Sequence, residues 1–347
     1  MNTKPVSDLS SIDYLVLLSV QEILLVEVTC YSKDHLSKLM IEVMLPIAIL
    51  VGAGAVWPGY FREVSDKTLR IQLNRLVLNL FYPAILFSIA ATTPITPELL
   101  SVPLLVGIGT LLSGAVLYLL LYRSPLGRGL HNGTRAALMV SGMIGNTFYV
   151  GVPVLTFLYG PDASRYAAFN DMLMTMPLMW SLGVWICTRL GPPESATLHP
   201  PIWRLMMGIP PIWAFIAGTL LQMSGVVFDP LIHASRMIGQ ATIPVMMFVL
   251  GLSIPWRDLK PRFAILGVTA VKLALMPLMV AAVAVLLYRH PAEAQQAAVI
   301  EAGMPTMMSA LILSDRFHLD TEAAALMIGW TTVLYWISLP VTVWLMH

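Results

Sequence analysis

From Leu99 to Tyr122 the chain runs without one charged residue. A stretch of that length and polarity has one stable home, a helix crossing a bilayer. Such a helix satisfies its own backbone hydrogen bonds and needs about 20 apolar residues to span the hydrocarbon. Comparable stretches recur at about 41–60, 68–91, 99–122, 133–159, 163–189, 206–224, 230–253, 261–288, 292–315 and 321–346. They predict an all-α polytopic membrane protein with ten transmembrane helices joined by short loops. Because 57% of the 347 residues are hydrophobic and only 11% charged, little chain is left for a soluble domain. The net charge of +1, without a basic block, excludes nucleic acid as a partner and leaves the lipid bilayer as the surroundings.

Two of the spans carry helix breakers at mid-depth. The fourth contains Gly142, Gly145, Asn146, Thr147, Gly151 and Pro153, and the ninth contains Gly303, Met304, Pro305 and Thr306. Backbone freed at such a depth survives only where it is buried in protein or lines a wet cavity, and paired interruptions in corresponding positions point to a carrier's binding site. Gly303 is suited to a left-handed cap on one half-helix and Pro305 to the first turn of the next, while Gly145 takes the capping part in the fourth span. If both broken helices cross near the midplane, two positive N-terminal ends converge there, and a carboxylate is the natural ligand.

The halves of the chain repeat weakly. Tyr82-Pro83-Ala84-Ile85-Leu86-Phe87 matches Ile243-Pro244-Val245-Met246-Met247-Phe248, with Asn79 against Gln240, and Pro46-Ile47 matches Pro211-Ile212. Leu121-Tyr122-Arg123 matches Leu287-Tyr288-Arg289, and Asn146 stands before Asp162 as Met304 stands before Asp320. Matches in the same order argue for duplication, and an odd number of spans per half inverts the second copy. The expected organisation is an N-terminal extension at 1–39, a first five-helix repeat at 40–190, a connecting loop at 191–205 and a second repeat at 206–347. The fourth and ninth helices are then the broken, crossing pair.

Residues 11–29 carry Asp13, Gln21, Glu22 and Glu27, a poor spanning segment at about 2.5–3.5 kcal/mol per central charge. The extension is expected to be poorly ordered or to lie on the surface, with Met40 or Met44 as an alternative start. Basic residues favour the odd-numbered loops (Arg62, Lys67, Arg70; Arg123, Arg128, Arg135; Arg189, Arg204; Arg257, Lys260, Arg262; Arg316) over the even-numbered ones (Arg165, Arg236, Arg289). That asymmetry places the odd loops in the cytoplasm and both termini outside.

Ionisable groups inside spans are functional candidates. Lys272, near the middle of the eighth span, needs a partner, for which Glu301 and Asp171 are the candidates; a structural ion pair and a part in charge or proton coupling are equal readings. Asn170, Asp171 and Thr175 of the fifth span are placed to line the same cavity. Asn79 and Gln240 are expected to satisfy backbone freed by Pro83 and Pro244, and Glu42 and Arg75 to reach water near span ends. Cys30 and Cys187 have no metal or redox spacing, and the seven histidines fall outside span centres, so neither a metal nor a cofactor is expected. Ser141-Gly142 lacks the preceding glycine of an intramembrane serine protease, since Met139 stands there, and no Gly-x-Gly-Asp motif accompanies Asp171. An enzyme is not expected.

Asn74-Arg75-Leu76-Val77 through Phe87, Gly145-Asn146-Thr147-Phe148-Tyr149-Val150-Gly151-Val152-Pro153, Glu301-Ala302-Gly303-Met304-Pro305 and Thr331 through Pro340 resemble the auxin efflux carrier family, within the bile acid:sodium symporter superfamily. The resemblance runs from about residue 40 to the end. It implies a scaffold from spans one, two, six and seven and a moving core from the others, working by elevator-type alternating access. It further implies crossover roles for Asn146, Pro153 and Pro305 and a basic part for Lys272. The short central loop favours a bacterial inner-membrane member of the malate-permease kind over a plant auxin carrier.

The expected function is secondary transport of a small organic anion, a mono- or dicarboxylate. Substrate would be held by Asn146, Thr147, Gly151, Pro153, Asn170, Gly303, Met304, Pro305 and Thr306, with Lys272, Glu301 and Asp171 in coupling. Sodium-coupled uptake of a larger amphipathic acid and a non-transporting receptor or scaffold are the alternatives. The fold is compatible with a homodimer.

Overall fold

A computed structural model describes residues 37–60, 66–197 and 202–346. The expectations for most of the N-terminal extension, for Arg62 and for 198–201 of the connecting loop lie outside the described residues. Among the described residues the chain is all-helical, and its only β-type pairing is an isolated antiparallel bridge between Gly145 and Thr306.

Among the described residues, and leaving aside short 3-10 turns, thirteen helices follow one another. They are α1 (Leu39–Tyr60), α2 (Lys67–Thr92), α3 (Pro97–Arg123), α4 (Asn132–Met143), α5 (Gly151–Tyr159), α6 (Pro161–Leu190), α7 (Ile202–Met207), α8 (Pro210–Met223), α9 (Asp229–Ser253), α10 (Phe263–Tyr288), α11 (Glu293–Ala302), α12 (Ser309–Arg316) and α13 (Thr321–Met346). Seven of them, α1, α2, α3, α6, α9, α10 and α13, are long and apolar enough to cross a membrane, so the chain is a multi-pass membrane protein. The pairs α4/α5 and α11/α12 are the two expected broken segments.

Prolines shape the long helices in a regular way. Pro46, Pro83, Pro177 and Pro277 lack the N–H that would bond back to the fourth residue before them, and in each case the preceding turn widens. Leu45 N–H bonds to Met40 O, Tyr82 to Val77 O, Met176 to Asp171 O and Met276 to Val271 O, each five residues back. Two of these wide turns carry Asp171 and Lys272. Helix starts follow ordinary capping chemistry: Thr96 Oγ1 accepts from Leu99 N–H (3.2 Å) at the head of α3. Gly160, at φ 91°, makes the turn between α5 and α6, a conformation that a side chain resists.

The helices pack as two groups. Helices α1, α2, α8 and α9 pack on one another; α3, α4, α5, α6, α10, α11, α12 and α13 form the other group. The groups meet mainly where α2 lies on α6 and α5 on the start of α1, and α7 touches both α6 and α8. Within the first group the backbones approach as closely as glycine allows. A Cβ on Gly54 of α1 would overlap Phe248 O of α9, and one on Gly218 of α8 would lie 2.6 Å from Phe87 O of α2. Phe87 and Phe248 are the residues matched in the sequence repeat.

Candidate functional site

The backbone freed by the two breaks is satisfied by the breaks themselves. Asn146 N–H donates to Pro305 O (2.7 Å), and Met307 N–H donates to Ile144 O (3.2 Å). The two segments therefore cross as a short reciprocal pair, buried throughout. The carbonyls left over at the helix ends are taken up by side chains from the opposite break or its neighbours. Thr306 Oγ1 donates to Ser141 O (2.8 Å) at the end of α4, and Lys272 Nζ donates to Ala302 O (3.0 Å) at the end of α11. A cation is the favourable group at a helix C-terminus. Thr306 N–H in turn donates to Thr331 Oγ1 (3.0 Å) of α13.

Three details differ from the sequence expectations. Pro305 does not open a helix: α12 begins at Ser309, and Pro305 lies in the extended crossing, where its missing N–H costs nothing and its carbonyl accepts from Asn146. Gly303 ends α11 at φ −81°, outside the left-handed region. Gly145 does not cap α4, whose end is Met143. Its bare Cα is needed at the crossing, where a Cβ would lie 2.9 Å from Lys272 Nζ and 3.2 Å from Met304 O.

The expected ion pair of Lys272 with Glu301 or Asp171 does not form. Besides Ala302 O, the ammonium contacts Met276 Sδ (3.3 Å). Glu301 Oε2 instead accepts from Asn170 Nδ2 (3.0 Å), and its Oε1 sits where a Cβ on Gly151 would be, so glycine at 151 makes room for the carboxylate. Asp171 accepts from Thr147 Oγ1 (3.0 Å) and from the Tyr82 hydroxyl, and Thr147 Oγ1 also pairs with Thr175 Oγ1 (3.1 Å). Met304 Sδ accepts from the Tyr335 hydroxyl (3.0 Å). Lys272, Glu301, Asp171 and Asn170 are completely buried, an arrangement that costs several kcal/mol per ion unless partners or a ligand offset it.

Packing at the crossing leaves little room. The space between Gly145, Thr147, Thr175, Lys272 and Glu301 amounts to about 10 Å³, enough for about one water molecule. Phe148 and Tyr149 pack on Tyr82 with tilted rings, at 4.7 and 5.3 Å between ring centroids. The N–H groups of Val150, Val152 and Val154 are used within the turn that starts α5, bonding to Asn146, Phe148 and Val150 carbonyls. Even so, Asn146 Oδ1, Asn170 Oδ1 and Glu301 Oε1 are buried without a hydrogen-bond partner among the described residues. Pro153, within the first turn of α5, faces away from the crossing into a cavity of about 1110 Å³ between the two helix groups.

Thus Asn146, Thr147, Gly151, Asn170, Asp171, Lys272, Glu301, Met304, Pro305 and Thr306 are brought together. Gly303 packs toward Pro277, where an added Cβ would lie 3.6 Å from the ring, and Pro153 is set apart on the cavity. Tyr82, Thr331 and Tyr335 also belong to the site. The sequence could have flagged Tyr82 only through its place beside Pro83, since tyrosine is common in apolar helices. Asn79 and Gln240 do not behave as a matched pair: Asn79 Nδ2 donates to Arg75 O (2.7 Å), while the Gln240 side chain bonds nothing among the described residues and lines the large cavity.

Comparison with known proteins agrees with the resemblance read from the motifs. Residues 194–343 match the family model described as "Membrane transport protein". The chain is 28% identical over 307 residues to an uncharacterized transporter of Methanothermobacter thermautotrophicus, covering 86% of this chain and 96% of that protein. It is 24% identical over 321 residues to an uncharacterized transporter of Methanocaldococcus jannaschii, covering 87% of this chain and 99% of the relative. The chain is therefore similar to membrane transporters over most of its length.

Proposed function

We propose that this protein is a secondary carrier of a small organic anion, a mono- or dicarboxylate, working by alternating access of the crossing to the two sides of the membrane. The observation that carries this reading is the reciprocal pairing of Asn146 with Pro305 and Met307 with Ile144 in the depth of an apolar helical bundle. Broken helices are costly in a membrane and are kept where they build a solute site. The side chains of Asn146 and Thr147 and the cation of Lys272 are the groups suited to a carboxylate. Because the crossing holds only about 10 Å³, substrate binding must exchange internal hydrogen bonds for ligand bonds as the helix groups move relative to each other.

The architecture behind this reading is ten spans in an inverted five-plus-five repeat, divided at 191–205. It is supported by the approach of Gly54 to Phe248 and of Gly218 to Phe87, two contacts whose carbonyl residues, Phe248 and Phe87, are matched in the sequence repeat. The groups α1, α2, α8, α9 and α3–α6, α10–α13 correspond to a scaffold and a moving core. The loop charges favour cytoplasmic odd-numbered loops and external termini, and the short central loop, through the family resemblance, favours a bacterial inner membrane.

Coupling to a cation is a second reading, favoured by the unpartnered oxygens of Asn146, Asn170 and Glu301. A proton on Glu301 or a sodium ion would satisfy them. Purified protein in liposomes, loaded with a radiolabelled carboxylate under a proton or sodium gradient, tests both readings. Uphill accumulation driven by one gradient is the expected result; no flux of any mono- or dicarboxylate under either gradient overturns the carrier reading.

A further inference from the structure

The 1110 Å³ cavity lies between α1, α2 and α9 on one wall and α5 and the start of α6 on the other. Four ionisable residues line it: Glu42, Asp162, Arg165 and Arg236. Arg165 is already engaged, 4.0 Å from Glu293 and donating to the Tyr166 hydroxyl (3.1 Å). The guanidinium of Arg236 has no ion pair or hydrogen bond among the described residues. Gln240, one helical turn on, is likewise unbonded, and residues four apart share a helix face. That face is held toward α2 by Gly239, whose bare Cα sits against Ile85. The cavity hydroxyls of Ser88, Thr92 and Thr156, by contrast, are spent on carbonyls of their own helices. The free donors on this wall are therefore one guanidinium and one carboxamide, side by side, in a cavity that also contains Pro153 of the first break.

We propose that Arg236 and Gln240 form an outer docking point that takes the carboxylate of an incoming anion before it passes to the crossing. A guanidinium offers two parallel N–H groups to a carboxylate, and both Arg236 and Gln240 are exposed, within reach of a solute entering the cavity. This rests on the carrier reading above and adds to it two residues on the opposite helix group from Asn146. Glu42 and Asp162, on the same cavity and without an ion pair among the described residues, oppose the docking charge, which gives the proposal a sign that a structural role would lack.

The test uses the full chain in liposomes with radiolabelled succinate and propionate as probes. R236A is expected to raise KM by about tenfold near 20 mM salt and by less near 300 mM, where screening weakens the attraction, with Vmax changed by less than about twofold. R236K should fall between R236A and the parent protein, since a lysine keeps the charge but not the fork. E42Q should lower KM. Independently of flux, a Q240C variant carrying C30S and C187S should react with a negatively charged thiol reagent, and succinate should slow that reaction. An unchanged KM in R236A, or R236A and E42Q shifting KM in the same direction, overturns the docking point while the carrier reading stands. A parent protein that carries neither probe, with Q240C unprotected by either, overturns both.

Discussion

The Tyr82 hydroxyl donates a hydrogen bond to Asp171 Oδ2, so α2 of one helix group is tied to α6 of the other at the point where Thr147 of the first break also reaches Asp171. A carrier whose two groups move past each other has to break this bond in each cycle. Y82F should leave the tilted ring packing on Phe148 and Tyr149 intact while removing the tie. The expected result is a loss of about 0.5–2 kcal/mol in stability, read as a lower unfolding midpoint in detergent, together with a changed transport Vmax. A variant with parent stability and parent kinetics would show that the bond is incidental.

Asn146 contributes its backbone N–H to the crossing, while its amide oxygen is unpartnered. N146A therefore keeps the backbone pair and deletes only the side chain. Its melting temperature should stay within a few degrees of the parent, and its KM for a carried anion should rise about tenfold, the equivalent of about 1.4 kcal/mol. An unchanged KM would remove the side chain from the site.

Lys272 bridges the end of α11 and the bare Cα of Gly145. Replacing it with methionine keeps most of the volume and removes the buried charge, a relief of desolvation that offsets the about 1–3 kcal/mol of leaving the Ala302 carbonyl without its donor. K272M should be expressed and folded but lose at least about tenfold in transport, whereas K272A, which adds a cavity, should also be less stable by about 2 kcal/mol or more. Thermal unfolding alongside flux separates the two effects.

Gly251 stands against Val51 O of α1 as Gly54 stands against Phe248 O of α9. G251A has no space for its methyl group, and the obstacle is backbone. The helices must move apart at a cost of about 1–3 kcal/mol, expected as a lower unfolding midpoint; G52A, with open space around it, is the neutral control.

Much of this molecule is legible in its sequence. Runs such as 99–122 fix membrane helices because lipid offers the backbone no other partner, and the breakers at Gly145–Pro153 and Gly303–Thr306 locate the two interruptions for the same reason. What each polar residue bonds to was not legible. Lys272 was expected beside a carboxylate, yet it reaches the carbonyl of Ala302, because a helix end supplies a partial negative charge that composition and spacing do not reveal. Pro305 was expected inside a helix and instead lies in the extended crossing.

That the chain spans a membrane, where its helices run and which two are broken all follow from hydrophobic length and local backbone chemistry. How the breaks pair, that Tyr82 joins Asp171, and that Arg236 and Gln240 lack partners among the described residues in a cavity beside Pro153 are set by the folded bundle. Those relationships link residues far apart in the chain. They depend on which helix faces meet, and that is set by packing across the whole bundle.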